Sequence, residues 1–297
     1  KDNKIRTFAA MIRLNKYIAD SGYCSRREAD TFIQQGRVTI NGRDAIIGDM
    51  VGQADRVDVD GESIKGGLKA KKRIYIALNK PVGITSTTNL SDPTNIVSYV
   101  KHRERIFPIG RLDKLSQGLI LLTNDGDIVN KILRAGNAHQ KEYVVTVDRA
   151  ITEEFIERMA SGVRLDDGVR TLPCKVFRED EKRFRILLVQ GLNRQIRRMC
   201  MMLHYHVDKL ERVRMMNISL KGLATGQWRE LAPEEVQRMM EMVENSEGGE
   251  QASVVEAPRS MRKVKVVGSE SIGERPIKGD KKSTSAFAKY RAQGRKR

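Results

Sequence analysis

The sequence predicts an α+β protein: a small module of helices and a hairpin, then a larger domain with a mixed, largely antiparallel sheet. Three observations carry this. Strand-like and helix-like segments succeed one another without the strict alternation that a doubly wound parallel sheet demands. The chain has 297 residues, 39% of them hydrophobic, enough for about two domains with sizeable cores. Its composition also shifts twice, once at a Gly- and Lys-rich stretch near residue 66 and again after residue 245.

The small module spans residues 12–63. Leu14, Tyr17 and Ile18 recur at i, i+3 and i+4, the apolar stripe of a short helix that Gly22 ends. Ser25-Arg-Arg-Glu28 has the form of a capping box, in which the serine and glutamate side chains satisfy each other's backbone N–H groups. It opens a second helix that buries Ala29, Phe32 and Ile33 and stops at Gly36. Val38–Ile40 then enters a tight hairpin at Asn41-Gly42. Arg13, Lys16, Arg26, Arg27, Arg37 and Arg43 fall outside the apolar pattern and are expected to form one basic face.

Residues 64–73, glycine-rich and then basic, read as a linker whose cations could touch phosphate. The larger domain is expected over 74–245. Strands are predicted at Ile74–Leu78, Gly118–Thr123, Tyr143–Val147 and Phe184–Val189. Helices are predicted at Asp127–Arg134, Glu153–Ala160, Asn193–His204 and Pro233–Val243. Residues 246–297 hold thirteen Lys/Arg against six Asp/Glu and only two aromatics, so a disordered basic tail is expected there.

Lys plus Arg number 55 against 38 Asp plus Glu, a formal charge of +17. The tail accounts for +7, which leaves +10 on sequence expected to fold, and such an excess suits a polyanion such as nucleic acid. No apolar run approaches the roughly 20 residues of a membrane helix, and the first ten residues lack a signal-peptide core, so a cytoplasmic protein is expected. Cys24, Cys174 and Cys200 are odd in number and far apart, which argues against a disulfide framework or a cysteine zinc site. No heptad or apolar stripe suggests a dimer, so a monomer is expected.

Three segments hold candidate chemistry. Asp113 lies in Gly110-Arg-Leu-Asp-Lys114, ahead of Ser116-Gln-Gly118 and an apolar strand, with Arg111 and Lys114 beside it. Nearby cations would favour its ionised form, although such an aspartate taken alone is commonly a loop cap or an ion pair. Tyr143, in Lys141-Glu-Tyr143, opens a strand, where a ring can line a cleft or pack in a core. Arg194, Arg197 and Arg198 lie at i, i+3 and i+4 and are expected on one helix face, with no carboxylate between Asn193 and Val207 to pair with them. No P-loop, no Gly-x-Gly-x-x-Gly and no metal-spaced His/Cys cluster occurs, so neither a cofactor nor a metal is expected.

These segments resemble a known family. RLNKYIADSGYCSRREADTFIQQGRVTINGR is similar to the S4 RNA-binding domain along its length. GRLDKLSQGLILLTNDG resembles the catalytic motif of pseudouridine synthases of the group named after RsuA, RluB, RluE and RluF. LNKPVG, KEY and GLNRQIRRM fit that group in the same order, and SGYCSRREAD, RAGNAHQKEY and RVRMMNISL look like the RluF type. The resemblance covers about residues 12–243. It implies uridine isomerisation in 23S ribosomal RNA, with a tRNA anticodon loop as a second substrate class, on an α+β fold that needs no cofactor. It further implies that Asp113 is the essential aspartate, that Tyr143 stacks on the target base, and that Arg197 pairs with the aspartate. Arg111, Lys114, Arg194, Arg198 and the six cations of the small module would then hold RNA phosphates. Whether Asp113 attacks the sugar or promotes loss of a 2′ proton stays open. The other reading of the same residues is a non-catalytic S4-type ribosome assembly factor.

Overall fold

The computed structural model describes residues 11–52, 54–64, 72–134 and 138–244. The tail expected at 246–297 lies outside them, as do residues 65–71 of the expected linker.

The N-terminal module is β1 (Ile12–Arg13), α1 (Leu14–Ser21), α2 (Arg26–Gln34), β2 (Val38–Ile40), β3 (Arg43–Asp44), β4 (Met50–Val51), β5 (Val57–Val59) and β6 (Glu62–Ser63). Gly22 closes α1 in the left-handed region at φ 88°, where its missing Cβ removes the strain. The capping box forms in full: Ser25 Oγ accepts from Glu28 N at 3.1 Å, and Ser25 N donates to Glu28 Oε2 at 2.7 Å. Asn41 and Gly42 both have positive φ, 52° and 80°, as a two-residue hairpin turn requires. Leu14, Tyr17, Ile18, Ala29 and Ile33 bury against Val38, Val57 and Val59 in one small core.

The larger part continues with β7 (Tyr75–Lys80), α3 (Ile96–Val100), β8 (Phe107–Ile109), β9 (Gln117–Thr123), α4 (Asp127–Leu133), β10 (Lys141–Val147) and α5 (Glu153–Ser161). It ends with β11 (Lys175–Asp180), β12 (Arg183–Leu188), α6 (Gln195–Met202), β13 (Val207–Met215), β14 (Ile218–Ser219), β15 (Trp228–Glu230) and α7 (Pro233–Glu244). Seven strands run in the order β11-β12-β10-β13-β9-β7-β15, with β14 beside β13 and β8 beside β9. Every pairing in this sheet is antiparallel except β13 with β9. That parallel seam joins two halves with separate cores. Phe155 and Met159 of α5 and Ile196, Met199 and Cys200 of α6 pack on β10 and β12. Ile128 and Ile132 of α4 and Met239 and Val243 of α7 pack on β7 and β9. Ile96 and Val100 of α3 cover the opposite face of that second half. All six residues of β7 are buried, as a strand covered on both faces requires.

Two expectations change in detail. The helix expected at Asn193–His204 begins at Gln195, because Arg194 takes the left-handed conformation at φ 48°, and it ends at Met202. The basic face of the small module is partly neutralised. Lys16 bridges Asp20 at 2.6 Å and Asp127 at 3.0 Å, Arg37 pairs with Asp60 at 2.6 Å, and Arg43 pairs with Asp49 at 2.9 Å. Among the described residues Arg13, Arg26 and Arg27 make no ion pair and stay exposed.

Candidate active site

The register of the sheet builds the floor of the site. Lys80 on β7 stands opposite Gly118 on β9, Gly118 opposite Arg212 on β13, Arg212 opposite Tyr143 on β10, and Tyr143 opposite Ile186 on β12. Directly paired residues project from the same face of a sheet. One row across five strands therefore carries two buried cations and the tyrosine, and it crosses the parallel seam at a residue without a side chain.

The loop that follows β8 hangs over this row. Gly110 turns the chain at φ 77°, and a Cβ there would meet Leu133 Cδ2 at 2.8 Å. Leu112 is buried and anchored, its N–H donating to Ser86 Oγ at 3.1 Å while Ser86 Oγ donates to Leu112 O at 2.8 Å. Ser116 N donates to Asp113 O, and Gly83 N donates to Lys114 O at 2.8 Å. Both sides of Asp113 are thus fixed, while its carboxylate keeps 31% of its exposure and faces solvent.

Cations surround that carboxylate. Arg194 Nη1 lies 3.6 Å from Asp113 Oδ2. Arg197 interacts with it electrostatically from one helical turn further on, and Lys80 does so from below. Arg197 is held by its own bonds: Nη2 donates to Leu115 O at 3.1 Å and to Ser116 Oγ at 3.3 Å, and Nη1 donates to Val207 O at 3.0 Å. The resemblance implied Arg197 as the aspartate's partner; in the structure Arg194 makes the ion pair and Arg197 clamps the loop next to it. Burial, and then Arg194, holds Arg197 below the usual arginine value.

The expected single arginine face is not formed. Arg194 precedes the helix in a left-handed conformation, Arg197 points to residues 115–116, and Arg198 turns to the opposite side. There Arg198 Nη2 meets Asp166 and, at 2.7 Å, Asp167, carboxylates more than thirty residues earlier in the chain that a local search cannot find. Tyr143 is half-buried and, on β10 beside β13, packs against the cores of both halves of the sheet. Arg111 and Lys114 are exposed and make no ion pair among the described residues.

Three buried cations of the sheet escape a reading of the sequence alone. Lys80 is fully buried and donates to Pro81 O and Ile84 O, both at 2.9 Å, which shapes the turn of the Asn79-Lys-Pro-Val-Gly83 segment. Arg212 is 3% exposed and donates from Nε to Leu119 O at 2.6 Å, while its Nη2 has no partner among the described residues. Lys141 is 5% exposed. Charged side chains are almost never fully buried, so periodicity assigns such positions to the surface.

Burial brings Lys80 and Lys141 down to about 8, with Arg212 pushing each the same way. The folded protein therefore releases these protons before the unfolded chain does, and stability rises with pH from about 8 toward about 10.4. Lys141→Met, which keeps the volume and removes the charge, should lose on the order of 2 kcal/mol of that gain between about pH 7 and pH 9.5. Urea unfolding of both proteins at the two pH values measures it, and an identical pH response in the variant would contradict the assignment.

The comparisons with known proteins agree with this geometry. A family model described as RNA pseudouridylate synthase matches residues 74–201, and an S4 domain model matches 12–57. The dual-specificity RNA pseudouridine synthase RluF of Escherichia coli (strain K12) is 51% identical over 286 residues, covering 95% of this chain and 98% of that protein. The chain belongs to the RNA pseudouridylate synthase family. Ribosomal large subunit pseudouridine synthase B of Bacillus subtilis (strain 168) is a more distant pseudouridylate synthase, 34% identical over 244 residues, 79% of this chain and 98% of its own. A crystal structure of a pseudouridylate synthase superposes with a TM-score of 0.56 at 26% identity, covering 77% of this chain and 99% of that one. As a pseudouridine synthase with an S4 domain, the chain is an enzyme acting on RNA and not a mere assembly factor.

Proposed function

We propose that this enzyme converts one uridine of 23S ribosomal RNA into pseudouridine, with Asp113, Tyr143 and Arg197 as its catalytic residues. The observation that carries the reading is the single partly exposed carboxylate of Asp113, fixed by its loop, ringed by Arg194, Arg197 and Lys80, and set above the row that holds Tyr143. The names of the relatives support the ribosomal substrate: two carry RluF and large-subunit designations. A tRNA loop as second substrate, a monomer, a cytoplasmic location and the division at residues 63, 73 and 245 belong to the same proposal. Among the described residues no helix is long and apolar enough to cross a membrane.

The isomerisation breaks the N1–C1′ bond of uridine, turns the base, joins C5 to C1′, and exchanges the C5 proton for one on N1. Atoms balance without an added group, so the residues need only supply charge, shape and proton transfer. An ionised Asp113 beside C1′ serves either route, attack on the sugar or removal of the 2′ proton. The Tyr143 ring offers a flat surface to the flipped base, whose extrusion costs a few kcal/mol. Phosphate contacts from Arg13, Arg26, Arg27, Arg111 and Lys114, which make no ion pair among the described residues, offset that cost. Lys16, Arg37, Arg43 and Arg198 must exchange a carboxylate for a phosphate to take part.

Tritium release from 23S rRNA carrying 5-tritiated uridine tests the activity; absence of release from rRNA and tRNA alike would contradict it. Arg197→Ala should lower turnover about a hundredfold, within the range for a positioned catalytic group, while RNA affinity changes less than about threefold, because its bonds go to Leu115, Ser116 and Val207 within the protein. A large affinity loss at unchanged turnover would assign Arg197 to phosphate instead.

A further inference from the structure

A second basic site lies beyond the far end of α6, on the hairpin at residues 163–171. A cavity of about 440 Å³ opens there, walled by Arg158, Arg164 and Arg170 and floored by Val163, Leu203 and Met202. The hairpin is rigidly held: Thr171 N donates to Val163 O at 3.0 Å, Val163 N to Thr171 Oγ1 at 3.0 Å, and Leu165 N to Val169 O at 2.8 Å. Gly162 at its base has no room for a Cβ, which would lie 2.4 Å from Thr171 O.

The charge arrangement is the unusual feature. Arg164 and Arg170 face each other across an antiparallel bridge. Like charges directly opposite on paired strands repel. The carboxylates that could relieve them, Asp166 and Asp167 at the hairpin tip, are both engaged by Arg198 from α6. Arg164 and Arg170 make no ion pair among the described residues, and both are exposed. Arg158 has Glu154 at 3.3 Å, one turn back along α5, outside the cavity wall. The lining itself contains no acidic residue.

Uncompensated guanidinium groups around a concave, partly apolar surface call for an anion with an apolar body, and a nucleotide phosphate with its sugar has that character. Position favours the RNA substrate. Met202, in the cavity lining, is the last residue of α6, and Arg194, beside Asp113, immediately precedes that same helix. Eight helical residues span about 12 Å, roughly three to four stacked nucleotides at about 3.4 Å each. We infer that the Arg158–Arg164–Arg170 cavity is a phosphate-binding subsite for the RNA strand flanking the target uridine. It rests on the proposed function only in taking its partner to be the substrate RNA.

The test uses the full chain and 23S rRNA fragments. Arg164→Ala/Arg170→Ala should weaken binding, read by fluorescence anisotropy, at least about tenfold. It should also reduce the slope of log affinity against log salt by about one to two. Turnover of bound RNA should stay within about twofold of wild type. Arg164→Lys/Arg170→Lys should restore the salt slope, since charge is kept. Lys221→Ala/Arg238→Ala removes two exposed cations elsewhere and controls for net charge. An unchanged affinity and slope in the first variant, or an equal loss in the control, would overturn the subsite. Because binding is read apart from turnover, a wild-type protein that binds RNA but releases no tritium would contradict the proposed function and leave this test decisive.

Discussion

Asp113→Asn should abolish tritium release from 5-tritiated uridine RNA, with turnover at least about a thousandfold below wild type. The exchange removes one negative charge and almost no volume. Asp113 contributes its main-chain carbonyl, and not its side chain, to the bond with Ser116 N, so the loop should keep its shape. Arg194, Arg197 and Lys80 would then face an uncharged amide, and RNA, a polyanion, should bind as tightly or slightly tighter. The expected signature is a collapse of kcat at unchanged or improved affinity. Asp113→Ala should behave alike, and wild-type turnover in either variant would make the aspartate a loop ion pair.

Gly118→Ala should be among the most destabilising single substitutions in the larger domain. Gly118 sits at φ 109°, and an added Cβ would lie 2.4 Å from Arg212 O and 2.6 Å from Arg212 N. Both obstacles are main-chain atoms of the neighbouring strand and cannot rotate away. The contact lies on the parallel β9–β13 pair, the seam that joins the two halves of the sheet. Left-handed strain and overpacking together give about 2–6 kcal/mol. Gly222→Ala separates the two contributions: φ is 76°, and nothing lies within 4 Å of the added Cβ. It should lose only the conformational part, about 1–3 kcal/mol. Denaturant unfolding of both variants checks this, and equal losses would mean that the seam yields.

What could be read from the sequence followed from local physics. The Ser25–Glu28 capping box, the Gly22 stop and the Asn41-Gly42 turn are short-range devices, and all three form as written. The apolar runs at β7 and β9 became central strands because a strand buried on both faces needs no alternation. β13 was not predicted as a strand. Val207–Met215 carries five charged residues in nine, and its burial depends on β9 and β10, strands sixty or more residues earlier. β11 escapes the sequence pattern for a related reason: only Val176 of its six residues is buried, so this edge strand leaves no apolar alternation.

The candidate site divides in the same way. Asp113 and Tyr143 stand in segments whose wording alone marks them, and the structure places Tyr143 beside β13 and Asp113 beside Arg194. The three arginines do not share one helix face because the backbone places Arg194 outside the helix, where helical phase does not apply. Partners distant in sequence, such as Asp166 for Arg198, appear only once the chain is folded. Lys80 and Arg212 stay hidden because the sheet buries them, and only the register across β7, β9, β13 and β10 puts them in one row with Tyr143. The +17 charge accordingly separates into cations already committed to carboxylates and cations left for RNA.

Pseudouridine formation at one uridine of 23S rRNA through Asp113 is the activity proposed for this enzyme. Pseudouridine mapping of rRNA and tRNA from cells lacking the gene, complemented with wild type or with Asp113→Asn, tests it most directly. One 23S rRNA position should lose its modification, regain it with wild type, and stay uridine with the variant. An unchanged 23S rRNA map, or a site restored by Asp113→Asn, would contradict it.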